Sequence, residues 1–136
     1  MDDCVLIFTF SPVQSFISEA RRTSDLFNGS RILTLLAGAV LDQIKNAGCQ
    51  VVYPNFLPDG SKHSDIPNRA VALTKWESLD DLTKELLDAF NRKWHEICED
   101  TVKEIQRNHV PDGDDQWREI WERQTNHYWE VLWSAA

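Results

Sequence analysis

The feature that most narrows the fold is a short apolar run that stops at a proline. Val5-Leu6-Ile7-Phe8 is nearly all apolar, which suits a strand buried on both faces. The run ends at Ser11-Pro12. Proline lacks an N–H and has φ preset for a first helical turn, so Ser11 reads as an N-cap and Pro12 as the first helical residue. Val13, Phe16, Ile17 and Ala20 then recur at helical spacing. Strand, tight turn and helix in that order aim free backbone N–H groups at whatever lies above the strand's end, a ready place for phosphate. An ordinary strand–helix junction inside a core gives the same pattern.

The helix carries Arg21 and Arg22 and is expected to break at Asn28-Gly29, with Ser30 capping a second helix. Arg21, Arg22 and Arg31 are either an anion site or solvated surface groups. The second helix shows Ile32, Leu33, Leu35, Leu36, Ala39, Val40 and Ile44 in helical register and ends at Asn46-Ala47-Gly48. Cys49 to Phe56 reads as a strand stopped by Pro54. Leu57 to Asn68 is a loop with turns at Pro58-Asp59-Gly60 and Ile66-Pro67-Asn68, and Arg69 to Thr74 is a third strand, paired with the second as a hairpin. His63, between Asp59 and Asp65, lacks the second His or Cys that a metal site needs, so an exposed loop histidine is the favoured reading.

Glu77 to Asn108 has the pattern of a long amphipathic helix, capped by Ser78, with Asp80 and Asp81 at its positive end. Leu79, Leu82, Leu86, Leu87, Phe90, Trp94, Ile97, Cys98, Val102 and Ile105 form its buried stripe, which makes Cys98 a core residue and not a nucleophile. Pro111 to Asp115 resembles part of a calcium loop without its closing Glu, and Asp114 or Asp115 more simply caps the next helix. Gln116 to Asn126 reads as that helix, using Trp117, Ile120 and Trp121. His127 to Ser134 reads as a strand with Trp129, Val131 and Trp133 on one face. A tryptophan cluster suits core packing before it suits a base or a sugar. The order β-α-β-β-α-β is that of a ferredoxin-like α+β unit, an antiparallel sheet with its helices on one face and the other face free for a partner.

Charge limits the function. The first 76 residues are net neutral and the remaining 60 carry the whole net charge of −8. Phosphate contacts need Lys and Arg, so a nucleotide or RNA contact belongs to the first part. At 136 residues the chain is expected to be a single domain, residues 1–136. Three scattered cysteines, an acidic start and no apolar run of about 20 residues fit a cytoplasmic protein without a membrane span.

Certain segments carry a family resemblance. Ser11-Pro12-Val13-Gln14-Ser15-Phe16-Ile17, then Ala20-Arg21-Arg22-Thr23 with Asp25-Leu26, then Gly29-Ser30 before a leucine-rich helix, resemble the first palm domain of the large subunit of type III-B CRISPR effector complexes, the Cmr complex. Ile66-Pro67-Asn68-Arg69, Trp121-Glu122-Arg123-Gln124 and Trp129 to Ala136 resemble later parts of that domain. The resemblance implies a piece of a larger subunit that pairs two cyclase-like palms and makes cyclic oligoadenylates from ATP, in antiviral defence, once guide RNA pairs with target RNA. In the family a Gly-Gly-Asp-Asp hairpin in the second palm binds two Mg²⁺, which align the attacking hydroxyl and stabilise the triphosphate.

This chain departs from that plan. It has no Gly-Gly-Asp-Asp, no HD dipeptide of the family's nuclease domain, and Phe10-Ser11 where an active palm places an Asp at the strand end. The expectation is therefore a catalytically silent palm with no catalytic or metal residues of its own. ATP and Mg²⁺ are expected only with the absent second palm. Carried over by position, Ser11, Gln14 and Ser15 fall near the phosphates, Arg21 or Arg22 adds charge, and Asn28 and Ser30 fall where related cyclases read the base. The partners implied are the second palm, the other Cmr subunits, and guide and target RNA through the complex. The alternatives are a scaffold that holds neighbouring subunits and guide RNA without touching ATP, or a stand-alone nucleotide-binding enzyme.

Overall fold

Alternation decides how the first strand sits. In the computed structural model, which describes residues 2–62, 66–108 and 116–136, strand β1 spans Asp3–Ser11. Cys4, Leu6, Phe8 and Phe10 are buried, while Val5 and Ile7 remain 38% and 40% exposed. The strand is thus buried on one face, not two. The apolar run misleads because Val5 and Ile7 look like core residues but lie on the side of the sheet that carries no helix.

A short helix α1 (Gln14–Ser18) and a long helix α2 (Thr23–Asn46) follow. Ser11 is not an N-cap. It is the last paired residue of β1, opposite Glu130, and α1 starts two residues after Pro12, with Val13 before it in helical conformation and no side-chain cap. The helix break is also displaced, to residues 19–22. There the Asp25 carboxylate accepts the backbone N–H groups of both Arg21 and Arg22 (3.2 Å each), which satisfies donors at the start of α2. Asn28, Gly29 and Ser30 lie inside α2, so Ser30 caps nothing. Gly29 is a contact residue: a Cβ there would stand 3.3 Å from Ile17 Cδ1 and 3.6 Å from the Phe16 ring. The close approach of α1 to α2 explains the glycine better than chain breaking does. At the other end Gly48, with φ +75°, stops the helix as expected.

Strand β2 (Gln50–Tyr53) is shorter than its sequence suggests, and β3 spans Arg69–Lys75. They pair antiparallel across a long connection, as the hairpin reading requires. A 3₁₀ turn at Trp76–Ser78 leads into α3 (Leu79–Asn108), which is followed by α4 (Gln116–Thr125) and β4 (Glu130–Ala135). The strand order is β2-β3-β1-β4, with neighbours antiparallel throughout. That order is compatible with a ferredoxin-like palm. His63 and Asp65, and the Pro111–Asp115 loop, fall outside the described residues.

The core lies between the sheet and the pair α2 and α3. Leu36, Val40, Leu41 and Ile44 of α2 meet Leu82, Leu86 and Phe90 of α3 over Leu6, Phe8, Phe10 and Ala72. The α3 stripe is as the spacing predicts, except that Leu87 is 41% exposed. Trp129 precedes β4 and still points into this layer. Its ring centroid lies 4.9–6.4 Å from those of Phe10, Phe16, Phe90, Trp94 and Tyr128. Among the described residues its buried Nε1–H meets no hydrogen-bond acceptor. Trp133 shares the face of Val131 yet is 47% exposed, because β4 is an edge strand.

Candidate functional site

β1 is a central strand, and its C-terminal end carries Ser11 out to the uncovered side of the sheet, the side opposite Phe10. Asn68 fixes this end. Its Nδ2 donates to the Phe10 carbonyl (2.9 Å), while its own carbonyl accepts from the Thr9 hydroxyl (3.0 Å) and the Phe10 N–H (3.4 Å). The antiparallel register sets Arg69 opposite Thr9 and Glu130 opposite Ser11, so all four share one face. Arg69 is a candidate that the sequence alone hides, because it joins Ser11 only through pairing of β3 with β1.

From this end α1 is held down by its apolar side. Phe16 meets Tyr128 and Trp129 at centroid distances of 5.9 and 5.0 Å, and Ile17 meets Gly29. Gln14 and Ser15 consequently face solvent. Asn28 and Ser30, the neighbours of Gly29, are exposed beside the place where α1 meets α2. Arg21 and Arg22 lie in the link between the helices, not on a helix, and are exposed. Among the described residues no carboxylate forms an ion pair with Arg21, Arg22, Arg31 or Arg69. The structure therefore sets Ser11 and Arg69 on one face at the strand end, while Gln14 and Ser15 are exposed on α1 and Asn28 and Ser30 are exposed on α2 beside Gly29. Burial, with the charge of Glu19 second, holds the Tyr128 phenol above its ordinary range, which sets Glu19 and Tyr128 beside this same junction.

Elsewhere the titratable groups point to structure. The Asp59 carboxylate turns back on its own loop, accepting from the Ser61 hydroxyl (2.6 Å) and N–H (2.9 Å), and these two bonds lower its pKa. Among the described residues no three His, Cys, Asp or Glu side chains gather as a metal site. Burial pushes the Cys98 thiol up to about 11, with a Thr125 hydrogen bond opposing and the Glu99 charge adding. Between the ordinary value of 9.0 and about 11 the unfolded chain loses this proton and the folded chain keeps it, so stability falls as pH rises through that window. We expect Cys98→Ala to flatten this limb of a urea-denaturation profile. At pH 8, iodoacetamide should modify half-buried Cys49 well before buried Cys98, as peptide mapping would show.

Together these features define an α+β module compatible with a ferredoxin-like palm. One face of its antiparallel sheet is bare, and its central strand delivers polar groups to the surface. Residues 5–99 match the family model described as CRISPR-associated protein Cmr2, N-terminal. The match covers more than half of the 136 residues, and the chain belongs to that family. It therefore has a role in an effector subunit of type III-B CRISPR systems, working with the other subunits of a Cmr complex. No curated protein gives a significant match. Among the described residues no helix is long and apolar enough to cross a membrane.

Proposed function

We propose that this chain is a non-catalytic palm that supplies one wall of an ATP site used for cyclic oligoadenylate synthesis. The metal-holding wall comes from a second palm. The observation that carries this reading is the position of Ser11. It ends a central strand on the bare face, with Arg69 on the same face and the exposed Gln14 and Ser15 just beyond it. Hydroxyl and amide groups there can hydrogen-bond phosphate oxygens, and Arg21, Arg22 and Arg69, which form no ion pair among the described residues, offset phosphate charge. Glu130 opposes a phosphate set directly against Ser11, so the favourable approach is from the Arg69 side. In this reading Asn28 and Ser30, exposed on α2 beside Gly29, would contact the base.

The test is the double substitution Ser11→Ala with Gln14→Ala in the complete subunit. Hydrogen bonds to charged groups contribute about 1.5–3 kcal/mol each, so ATP affinity or oligoadenylate yield should fall at least roughly tenfold. Unchanged yield with saturable ATP binding removes both residues from the site. A scaffold role is the second reading, and the apolar bare face favours it: Val5, Ile7 and Leu132 are all more than one-third exposed. Titrating ATP and Mg²⁺ into this chain, alone and with the second palm, separates the two. Binding only in the mixture supports the composite site, and binding in neither supports the scaffold.

A further inference from the structure

Between α3 and α4 lies a groove that the nucleotide reading leaves unused. One cavity of about 650 Å³ lies between α3, α4 and the segment leading into β4, with Trp94, Trp121 and Tyr128 among its walls. A second, of about 520 Å³, continues along α3 past Asp88 and Glu85. Asn91 and His95 line both, so the two cavities adjoin along α3 and together give a groove with an aromatic end and an acidic end.

Its charge selects the occupant. Glu85, Asp88, Glu96, Glu99 and Glu122 line the channel against the guanidinium groups of Arg92 and Arg118. Arg118 is already engaged, bonding Glu99 and Glu122 at 3.1 Å each, and Lys93 pairs with Glu96 at 3.2 Å. Among the described residues neither Glu85 nor Asp88 has an ion-pair partner. Glu85 accepts an amide hydrogen bond from Gln43. Such a channel repels phosphate, which excludes nucleic acid. Ring faces beside carboxylates attract cations, and a planar guanidinium stacks on such rings better than an ammonium does.

We propose that this groove receives a basic segment of a partner polypeptide, with an arginine in the aromatic end and a second basic side chain at Asp88 and Glu85. Membership of a multi-subunit complex supplies such partners. The spacing follows from helix geometry. Asp88 and Trp94 are six residues apart on α3, about 9 Å along its axis, which an extended chain covers in about three residues. The segment is therefore of the form Arg-x-x-Arg or Arg-x-x-Lys.

The probe is acetyl-Arg-Gly-Gly-Arg-amide, titrated into the folded chain in low salt and followed by tryptophan fluorescence and calorimetry. Saturable binding is expected, with tenfold or greater loss in Trp121→Ala and in the double variant Glu85→Gln with Asp88→Asn. Both acidic side chains are exposed, so that double variant folds even if Trp121→Ala does not. Asp100→Asn, off the channel and 70% exposed, should bind as the parent does. Replacing each arginine of the probe by citrulline keeps shape and removes charge, and should also weaken binding at least tenfold. Equal binding of the citrulline peptide, displacement of the probe by adenosine monophosphate, no effect of the acidic double variant, or no saturable binding at millimolar peptide each overturns the proposal.

Discussion

Trp129→Ala is expected to destabilise the domain by roughly 3–5 kcal/mol, the range for deleting a large aromatic from a core. The residue lies at the centre of a ring cluster, not at its rim. Phe10 and Phe16, Phe90 and Trp94, and Tyr128 all bring a ring centroid within 6.4 Å of it. Those contacts join β1, α1, α3 and the entry to β4, so truncation loosens four elements at once. Domains of this size are stable by about 5–15 kcal/mol, and the loss should lower Tm by on the order of 10 °C. Two controls give the number meaning. Trp129→Phe keeps a ring and removes the orphan Nε1–H, so it should lose about 1–2 kcal/mol. Trp133→Ala, at the half-exposed edge, should lose less than Trp129→Ala. Urea titration of the three variants measures all of this. A loss at Trp129 no larger than at Trp133 would show that the cluster does not hold the fold.

That contrast between two tryptophans marks where sequence reading reaches its limit here. Local pattern locates elements well. The α3 stripe, the β2–β3 hairpin, the glycine stop at Gly48 and the late strand with its preceding helix all follow from spacing and turn chemistry. What spacing omits is the partner across space. Ser11-Pro12 carries a helix-start signal, but pairing with β4 extends the strand to Ser11 and delays the helix to Gln14. Gly29 carries a break signal, but the nearby α1 makes a missing Cβ useful inside a helix. The Asp25 contacts that mark the true start involve backbone N–H groups three and four residues earlier and leave little trace in composition. At the site the same division holds. Ser11, Gln14 and Ser15 are close in sequence and therefore legible. Arg69 joins them only through strand register, and the α3–α4 groove exists only because two helices separated in sequence face one another.

Phe10→Asp and Ser11→Asp should behave as opposites, although the residues adjoin. An active palm carries an Asp at this strand end, and the alternation of β1 shows which of the two positions can hold one. Phe10 is 1% exposed, with the rings of Phe90 and Trp129 at 4.9 and 5.5 Å. A carboxylate there loses that aromatic packing and has no cation partner in the core. The combined cost is at least about 5 kcal/mol, enough to abolish folding near pH 7. Burial would raise the carboxyl's folded-state pKa above its unfolded value. Whatever stability the variant keeps is therefore greatest below the unfolded pKa, near 4, and is lost as pH rises. Ser11 faces the bare side, where a carboxylate stays solvated. Glu130 opposite it adds a cross-strand repulsion of about 0.2–1 kcal/mol, and Arg69 on the same face partly offsets it. Ser11→Asp should thus unfold within about 1 kcal/mol of the parent chain. Circular dichroism and urea titration at pH 5 and pH 7 distinguish the pair. Similar stability of the two variants at pH 7 would mean that the strand end is not oriented as described, and the assignment of Ser11 to a nucleotide wall would fail with it.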